Sequence, residues 1–300
     1  MLGQVLSQLS LIVAVMVLVS VAAFVGWDRL AATRREWRAR VRAVAPAVAV
    51  LVAVLLSNSV AREAGPDVSW MIDWNITWTI YDLEGGFILW LQSFETAWLT
   101  AYFSFTYIYV YVFLMAFPVI AYFALSDTRP LRELLTAYTL NYVLGLFLYV
   151  VIISYGPRNM MPELVDALLY DTYPEYQHLT RQVNRNTNVF PSLHASLSAT
   201  VLLLAHRTRD EYPKWFALAV PLAASVALST MYLGIHWAID VLAGFGLAYV
   251  SVALSTHLVG RWSVADALER RLGSIRGRDA RGNRDGDGNE GEVPAVRSED

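Results

Sequence analysis

Three segments of the 300-residue chain carry residues whose types and spacing could do chemistry. The first is STMYLGIHWAIDVLAG at 229–244, with His236 and Asp240 four apart. That spacing puts two side chains on one face of a helix. A carboxylate beside an imidazole accepts one ring N–H, fixes the tautomer and leaves the other nitrogen as a nucleophile. The same pair could instead serve only to stabilise a helix start. The second segment is NVFPSLHAS at 188–196. Pro191 suits the first turn of a helix, which puts Ser192 and His194 in that turn. Amide donors at a helix N-terminus favour an anion such as phosphate, and His194 could act as general acid on a leaving-group oxygen. The third segment, YGPRNMMP at 155–162, supplies Arg158. A guanidinium grips phosphate well, although a lone Arg is also an ordinary loop charge. Arg181 and Arg185, four apart, are weaker candidates of the same kind. Together these groups suit phosphoryl transfer, and two ligands four apart make only a weak metal site without further protein ligands.

The elements that must position them follow from composition. Hydrophobic residues make up 56% of the chain and charged residues 16%, against roughly 25% charge in soluble domains. The shortfall deepens within the chain, because residues 261–300 hold 17 of the 49 charges. This argues against a soluble enzyme, a disordered chain and a nucleic-acid binder. Cysteine is absent, which excludes disulfides, thiolate zinc sites and cysteine nucleophiles.

Apolar runs of about 20 residues are long enough to cross a hydrocarbon core as helices. Seven occur, at about 5–26, 43–60, 97–124, 133–155, 191–206, 215–235 and 237–258. The first lacks a preceding cluster of cations, so it reads as a retained span rather than a signal peptide. The expected fold is an all-α polytopic membrane helix bundle: a catalytic core of six spans over 43–258, preceded by an extra N-terminal span and basic loop over 1–42. Residues 259–300 read as a cytoplasmic appendage, with an amphipathic helix at 262–275 and a disordered tail at 277–300. Alternation of the seven spans puts 19 of the 23 cations on one side, leaving Arg62, Arg158, Arg181 and Arg185 on the other. By the positive-inside rule the N-terminus is outside, the C-terminus is cytoplasmic and the protein is a multi-pass protein of the cell membrane. His194, His236, Asp240 and Arg158 all fall on the outer face. The connection at 61–96, rich in Trp, reads as an interfacial loop. The aromatic third span, from Tyr102 to Phe113, could line an acyl or isoprenoid groove or simply pack.

FPSLHAS at 190–196 and MYLGIHWAIDVLAG at 231–244, in this order and each on its own span, resemble the type 2 phosphatidic acid phosphatase superfamily. The likeness is greatest to the branch containing inositol phosphorylceramide synthases. The resemblance implies a lipid phosphatase or phosphotransferase acting on a lipid phosphate, diphosphate or phosphodiester. In it, His236 attacks phosphorus, Asp240 orients His236, and His194 protonates the leaving group and then activates the acceptor. Ser192 and Arg158 would hold phosphoryl oxygens, with Arg185 or Arg181 compensating for cations the chain lacks. Val151 stands at a position where the family commonly has Lys, Asn159 replaces Pro, Thr230 replaces Arg and Leu193 replaces Gly. The synthase-like branch shows similar losses, which favours transfer over hydrolysis. The competing readings are a lipid-binding or transport protein on the same fold, and a serine hydrolase. Two features weigh against the latter: Ser192 and His194 diverge at their spacing, and there is no GxSxG.

Overall fold

The computed structural model describes residues 2–177 and 188–260. Arg181, Arg185, the expected amphipathic helix and the expected tail lie outside the described residues. Helix α1, Leu2–Ser20, passes into a π-helical turn at Val21–Val25 and ends at Gly26. Helix α2 then runs without a break from Trp27 to Ile72, 46 residues. The basic stretch 27–42 is therefore helical and not a loop, and the span expected at 43–60 is the middle of a longer rod. Ala, Arg, Leu and Glu in 27–42 are strong helix formers, and no Gly interrupts them after Gly26. At 1.5 Å per residue the rod is about 69 Å long, more than twice a hydrocarbon core of ~30 Å.

The connection at 61–96 also departs from a loop. Its first part completes α2, and α3 (Thr77–Glu84) and α4 (Phe87–Gln92) follow. Trp70, Trp74, Trp78 and Trp90 are each more than half exposed, as side chains at a lipid interface would be. The third span combines α5 (Ala97–Phe105), a π-helical turn at Thr106–Val110 and α6 (Tyr111–Phe123). After it come α7 (Arg129–Val151), the short α8 (Pro157–Met160) and α9 (Leu168–Thr172), then α10 (Leu193–Arg207), α11 (Pro213–Tyr232) and α12 (Ala238–Leu258).

Among the described residues, six helical stretches are long and apolar enough to cross a membrane: Gly3–Val25, Trp27–Asn58, Ala97–Phe123, Arg129–Val151, Pro213–Tyr232 and Ala238–Leu258. The protein is an all-α, multi-pass membrane bundle. The expected span at 191–206 differs from these. Helix α10 has 15 residues, a rise of about 22 Å, because 188–192 is not helical and the helix begins only at Leu193. It is the inner helix, packed against α7, α11 and α12, with Ser196, Ser198, Thr200 and Val201 fully buried. In so dry a setting its polar groups need partners. Asn141 of α7 supplies two, donating to the Thr200 hydroxyl at 3.0 Å and accepting from Ser196.

Two close approaches fix how α10 meets its neighbours. A Cβ on Gly244 of α12 would lie 2.5 Å from the Ser192 carbonyl oxygen and 3.2 Å from the Ser196 amide. Both are backbone atoms and cannot swing away. Gly244→Ala is expected to push α12 off the start of α10. The cost is about 1–3 kcal/mol, the range for overpacking a core, and it would be read as a lowered unfolding midpoint in detergent.

The helices alternate in direction, so the bundle has two ends. One is held by ionic contacts. Arg29 bonds Glu211 at 2.7 Å, Arg40 donates to the Phe123 carbonyl at 2.8 Å, and Glu133 pairs with Arg129 at 2.8 Å and Arg207 at 3.7 Å. A cavity of about 280 Å³ at this end is lined by Asp127, Arg129, Glu133 and Arg207, and Glu133 pairs with both arginines. The opposite end gathers the starts of α10 and α12, the end of α11, and the segments 73–96 and 152–177. The candidate chemical residues lie there.

Candidate active site

Helix α12 begins two residues after His236. Trp237 is its N-cap, and Asp240, at the third helical position, accepts a hydrogen bond from the Trp237 amide at 3.0 Å. That bond turns the Asp240 carboxylate back toward the preceding loop, where Oδ2 stands 3.4 Å from His236 Nδ1. Asp240 is fully buried and His236 is 3% exposed. The His236 loop is itself pinned: the Ile235 and His236 amides both donate to the Thr230 carbonyl at 3.0 Å. Thr230 thus contributes its backbone to holding the histidine.

The second segment meets the first directly. The Ser192 amide donates to the Asp240 carbonyl at 3.0 Å. Ser192 is fully buried and is the N-cap of α10, its hydroxyl accepting from the Ala195 amide at 3.4 Å. Pro191 precedes the cap, so it lies just outside the first turn rather than within it; its bond to Phe190 is cis. The start of α10 is thus set by a serine cap, with its side-chain oxygen turned to an amide. His194 lies in the first turn, half-buried, its ring packed against Tyr107 at 4.4 Å and Tyr111 at 4.1 Å between centroids.

Arg158 comes to the same end on α8. Its amide donates to the Gly234 carbonyl at 3.2 Å, and its guanidinium lies over the Tyr170 ring at 4.6 Å. The approach depends on Gly156, where a Cβ would lie 2.4 Å from the Ile235 carbonyl oxygen. Trp237 adds a further tie, its indole N–H donating to the Tyr155 carbonyl at 2.8 Å. The guanidinium acts electrostatically on both His236 and Tyr107, which links the His236 and His194 sides of the site. Burial, and then Arg158, push the His236 imidazole down to about 3, against an upward pull from the Val189 carbonyl.

Buried polar groups without hydrogen bonds are rare, each costing about 1–3 kcal/mol, and they mark places where a fold keeps bonding capacity in reserve. Among the described residues, His236 Nδ1, Asp240 Oδ1, Arg158 Nη1, Ser154 Oγ and Asn188 Oδ1 are all in this condition. The last two belong to the extended segments that carry Val189 alongside Ser154, with the Val189 amide donating to the Ser154 carbonyl at 3.0 Å. Half of the ten such atoms among the described residues therefore lie at this one locus.

Sequence reasoning missed Glu84. From the end of α3 its carboxylate reaches across to the start of α12, taking the Ala238 amide at 2.6 Å and the Ile239 amide at 3.0 Å. Burial pushes its carboxyl up, while the two amides pull it down. No spacing rule links residues 154 apart, and nothing in the sequence sets Glu84 apart from the five other acids of 61–96. Glu84→Ala is expected to remove both caps and lower the unfolding midpoint by the equivalent of about 1–2 kcal/mol. Glu84→Gln keeps one acceptor and should lose about half as much. Thermal unfolding of the two purified variants checks this.

Gln92 was also missed. Its side chain joins the Asp166 amide and carbonyl and the Tyr232 carbonyl, each at 3.0 Å, and so fastens both connecting segments over the end of α11.

A family model described as the PAP2 superfamily matches residues 80–254, from within α3 to near the end of α12. Searches of curated proteins and of solved structures gave no match.

Proposed function

The chain belongs to the PAP2 superfamily, and from that premise we propose that it is an integral-membrane lipid phosphotransferase or phosphatase that works through a phosphohistidine at His236. The observation that carries this reading is the meeting of His236, Asp240 and Arg158, each with a buried unbonded polar atom, at the start of α12. With Asp240 Oδ2 closing on Nδ1 from its 3.4 Å and the ring released from the Val189 carbonyl, the Nε2 lone pair is the attacking one. It forms the P–N bond as the P–O bond to the leaving group breaks, and His194 gives that oxygen its proton. The acceptor hydroxyl then attacks the phosphohistidine. His194 takes the acceptor's proton, the P–N bond breaks and His236 is regenerated. Arg158 neutralises charge on the phosphoryl oxygens.

Ser192 caps α10 with its oxygen and anchors its amide to Asp240, and its hydroxyl hydrogen remains available to a phosphoryl oxygen. Arg185 remains a candidate for a second phosphate contact. Hydrolysis and transfer share the covalent intermediate and differ in the acceptor. The replacements at Val151, Asn159 and Thr230 favour transfer, in the manner of the inositol phosphorylceramide synthase-like branch. The cation distribution supports an outside N-terminus, a cytoplasmic C-terminus and a site on the extracytoplasmic face of the cell membrane, where a lipid phosphate presents its headgroup.

The test is to incubate the purified protein with labelled lipid phosphates, diphosphates and phosphodiesters, with and without alcohol acceptors. A new phosphodiester marks a transferase, and inorganic phosphate marks a phosphatase. Acid-labile label trapped on His236 would identify the intermediate. Binding without turnover on every substrate would instead favour a non-catalytic lipid-binding protein.

A further inference from the structure

The aromatic third span does more than pack. Its π-helical turn, Thr106–Val110, carries an extra residue per turn, a distortion common at functional sites. Around that turn the tyrosines divide. The Tyr109 hydroxyl bonds the Tyr176 hydroxyl at 2.8 Å. Tyr107 and Tyr111, four apart on the other side, both turn their rings to His194. The Tyr107 ring is nearly parallel to the imidazole, at 16° and 4.4 Å, and the Tyr111 ring lies at 36° and 4.1 Å. Tyr107 is 4% exposed, so its ring has little freedom to move.

Two ring faces at these distances restrict rotation of the imidazole about its long axis, which decides where its N–H points. They also present electron-rich faces to any positive charge the imidazole carries as a proton donor, at a helix N-terminus that otherwise disfavours cations. We infer that Tyr107 and Tyr111 are positioning residues that hold His194 in the orientation needed to protonate the leaving oxygen. The inference rests on the reading of His194 as general acid.

Leaving-group dependence separates this role from a merely structural one. A general acid contributes about 10²–10⁴-fold where the leaving group is a poor alkoxide, and little where it is a stable phenolate. The probes are dioctanoyl phosphatidic acid and para-nitrophenyl phosphate. The quantity compared is kcat/KM, which reports formation of the phosphohistidine alone, because breakdown of that intermediate needs His194 as a base whatever the leaving group. His194→Ala should lose kcat/KM selectively on the lipid. Tyr107→Leu and Tyr111→Leu should lose kcat/KM on the lipid by about ten-fold or more, with kcat/KM on para-nitrophenyl phosphate within about two-fold of wild type. Tyr107→Phe, which keeps the ring, should restore most of the lost kcat/KM. If His194→Ala is selective but the Leu variants are not, or lose equally on both probes, the positioning role is overturned while the acid role stands. If His194→Ala is itself unselective, or neither probe is turned over, the reading of His194 fails and this inference with it. Should the Leu variants fold poorly, the Tyr107→Phe/Tyr111→Phe pair decides. A selective loss larger than about three-fold on the lipid, despite both rings being kept, would place the effect in the hydroxyls and overturn the stacking argument.

Discussion

His236→Ala is expected to abolish turnover, to at least ~10⁴-fold below wild type, on every substrate the protein accepts. A covalent mechanism has no bypass for its nucleophile, and losses of this order accompany removal of one. The burial of His236 adds a second expectation. Its folded value, near 3, lies below its ordinary 6.5 because burial and Arg158 oppose the imidazolium. Between these values the unfolded chain binds a proton that the folded one does not. Stability from this group is therefore complete above about pH 6.5 and is lost as pH falls toward 3. The unfolding midpoint of the wild type in detergent should drop between pH 6.5 and 4 more steeply than that of His236→Asn. Parallel curves would show that the histidine is not held neutral. The same shift keeps the nucleophile unprotonated through mildly acid conditions, so an acid limb in activity near 6.5 would have to come from another group.

The sequence was informative where physics acts locally. Apolar runs of about 20 residues that cross lipid become helices, the form in which one segment satisfies its own amides. The bundle could therefore be read from its spans, and His236 and Asp240 did come to 3.4 Å, but not on one helix face as their spacing suggests: His236 lies in the loop before the Trp237 cap, and the Asp240 carboxylate folds back to it. Boundaries were less legible. Charge at 27–42 suggests a loop, yet Arg is a good helix former, and α2 carries straight through it. In the opposite sense, apolarity at 191–206 suggests a full span, but Pro191 and the Ser192 cap delay α10. Contacts between distant segments were not legible at all. Glu84 on the α12 amides, the tyrosines on His194 and the Ser192 amide on the Asp240 carbonyl are products of packing. Nothing in the one-dimensional pattern distinguishes Tyr107 from the other aromatics of its span. The motifs named the reacting groups, but the side chains that aim them come from elements with no motif of their own.

Asp240 shows how closely aiming and folding are joined, and two substitutions should separate them. Its Oδ2 accepts from the Trp237 amide at 3.0 Å and stands 3.4 Å from His236 Nδ1, and its backbone carbonyl receives the Ser192 amide. Asp240→Asn keeps the volume and one oxygen for the Trp237 amide, so α12 should still start where it does and the unfolding midpoint should move little. The amide has no charge to set against an imidazole that becomes positive as its other nitrogen bonds to phosphorus. If its NH₂ group turns toward Nδ1, it favours the wrong tautomer. Turnover should fall about 10²–10⁴-fold, the usual effect of neutralising the carboxylate behind a catalytic histidine, with KM little changed. Asp240→Ala should fall at least as far in kcat and also lose the cap, lowering stability by about 1 kcal/mol. The comparison is decisive because the two roles predict different orders. A purely structural Asp240 would leave Asn nearly as active as wild type and make Ala the only damaged variant. An orienting carboxylate makes both inactive and only Ala less stable. Measuring kcat and unfolding midpoint on both variants distinguishes the two even while the natural lipid is unidentified, since any phosphorylated substrate that is turned over will serve.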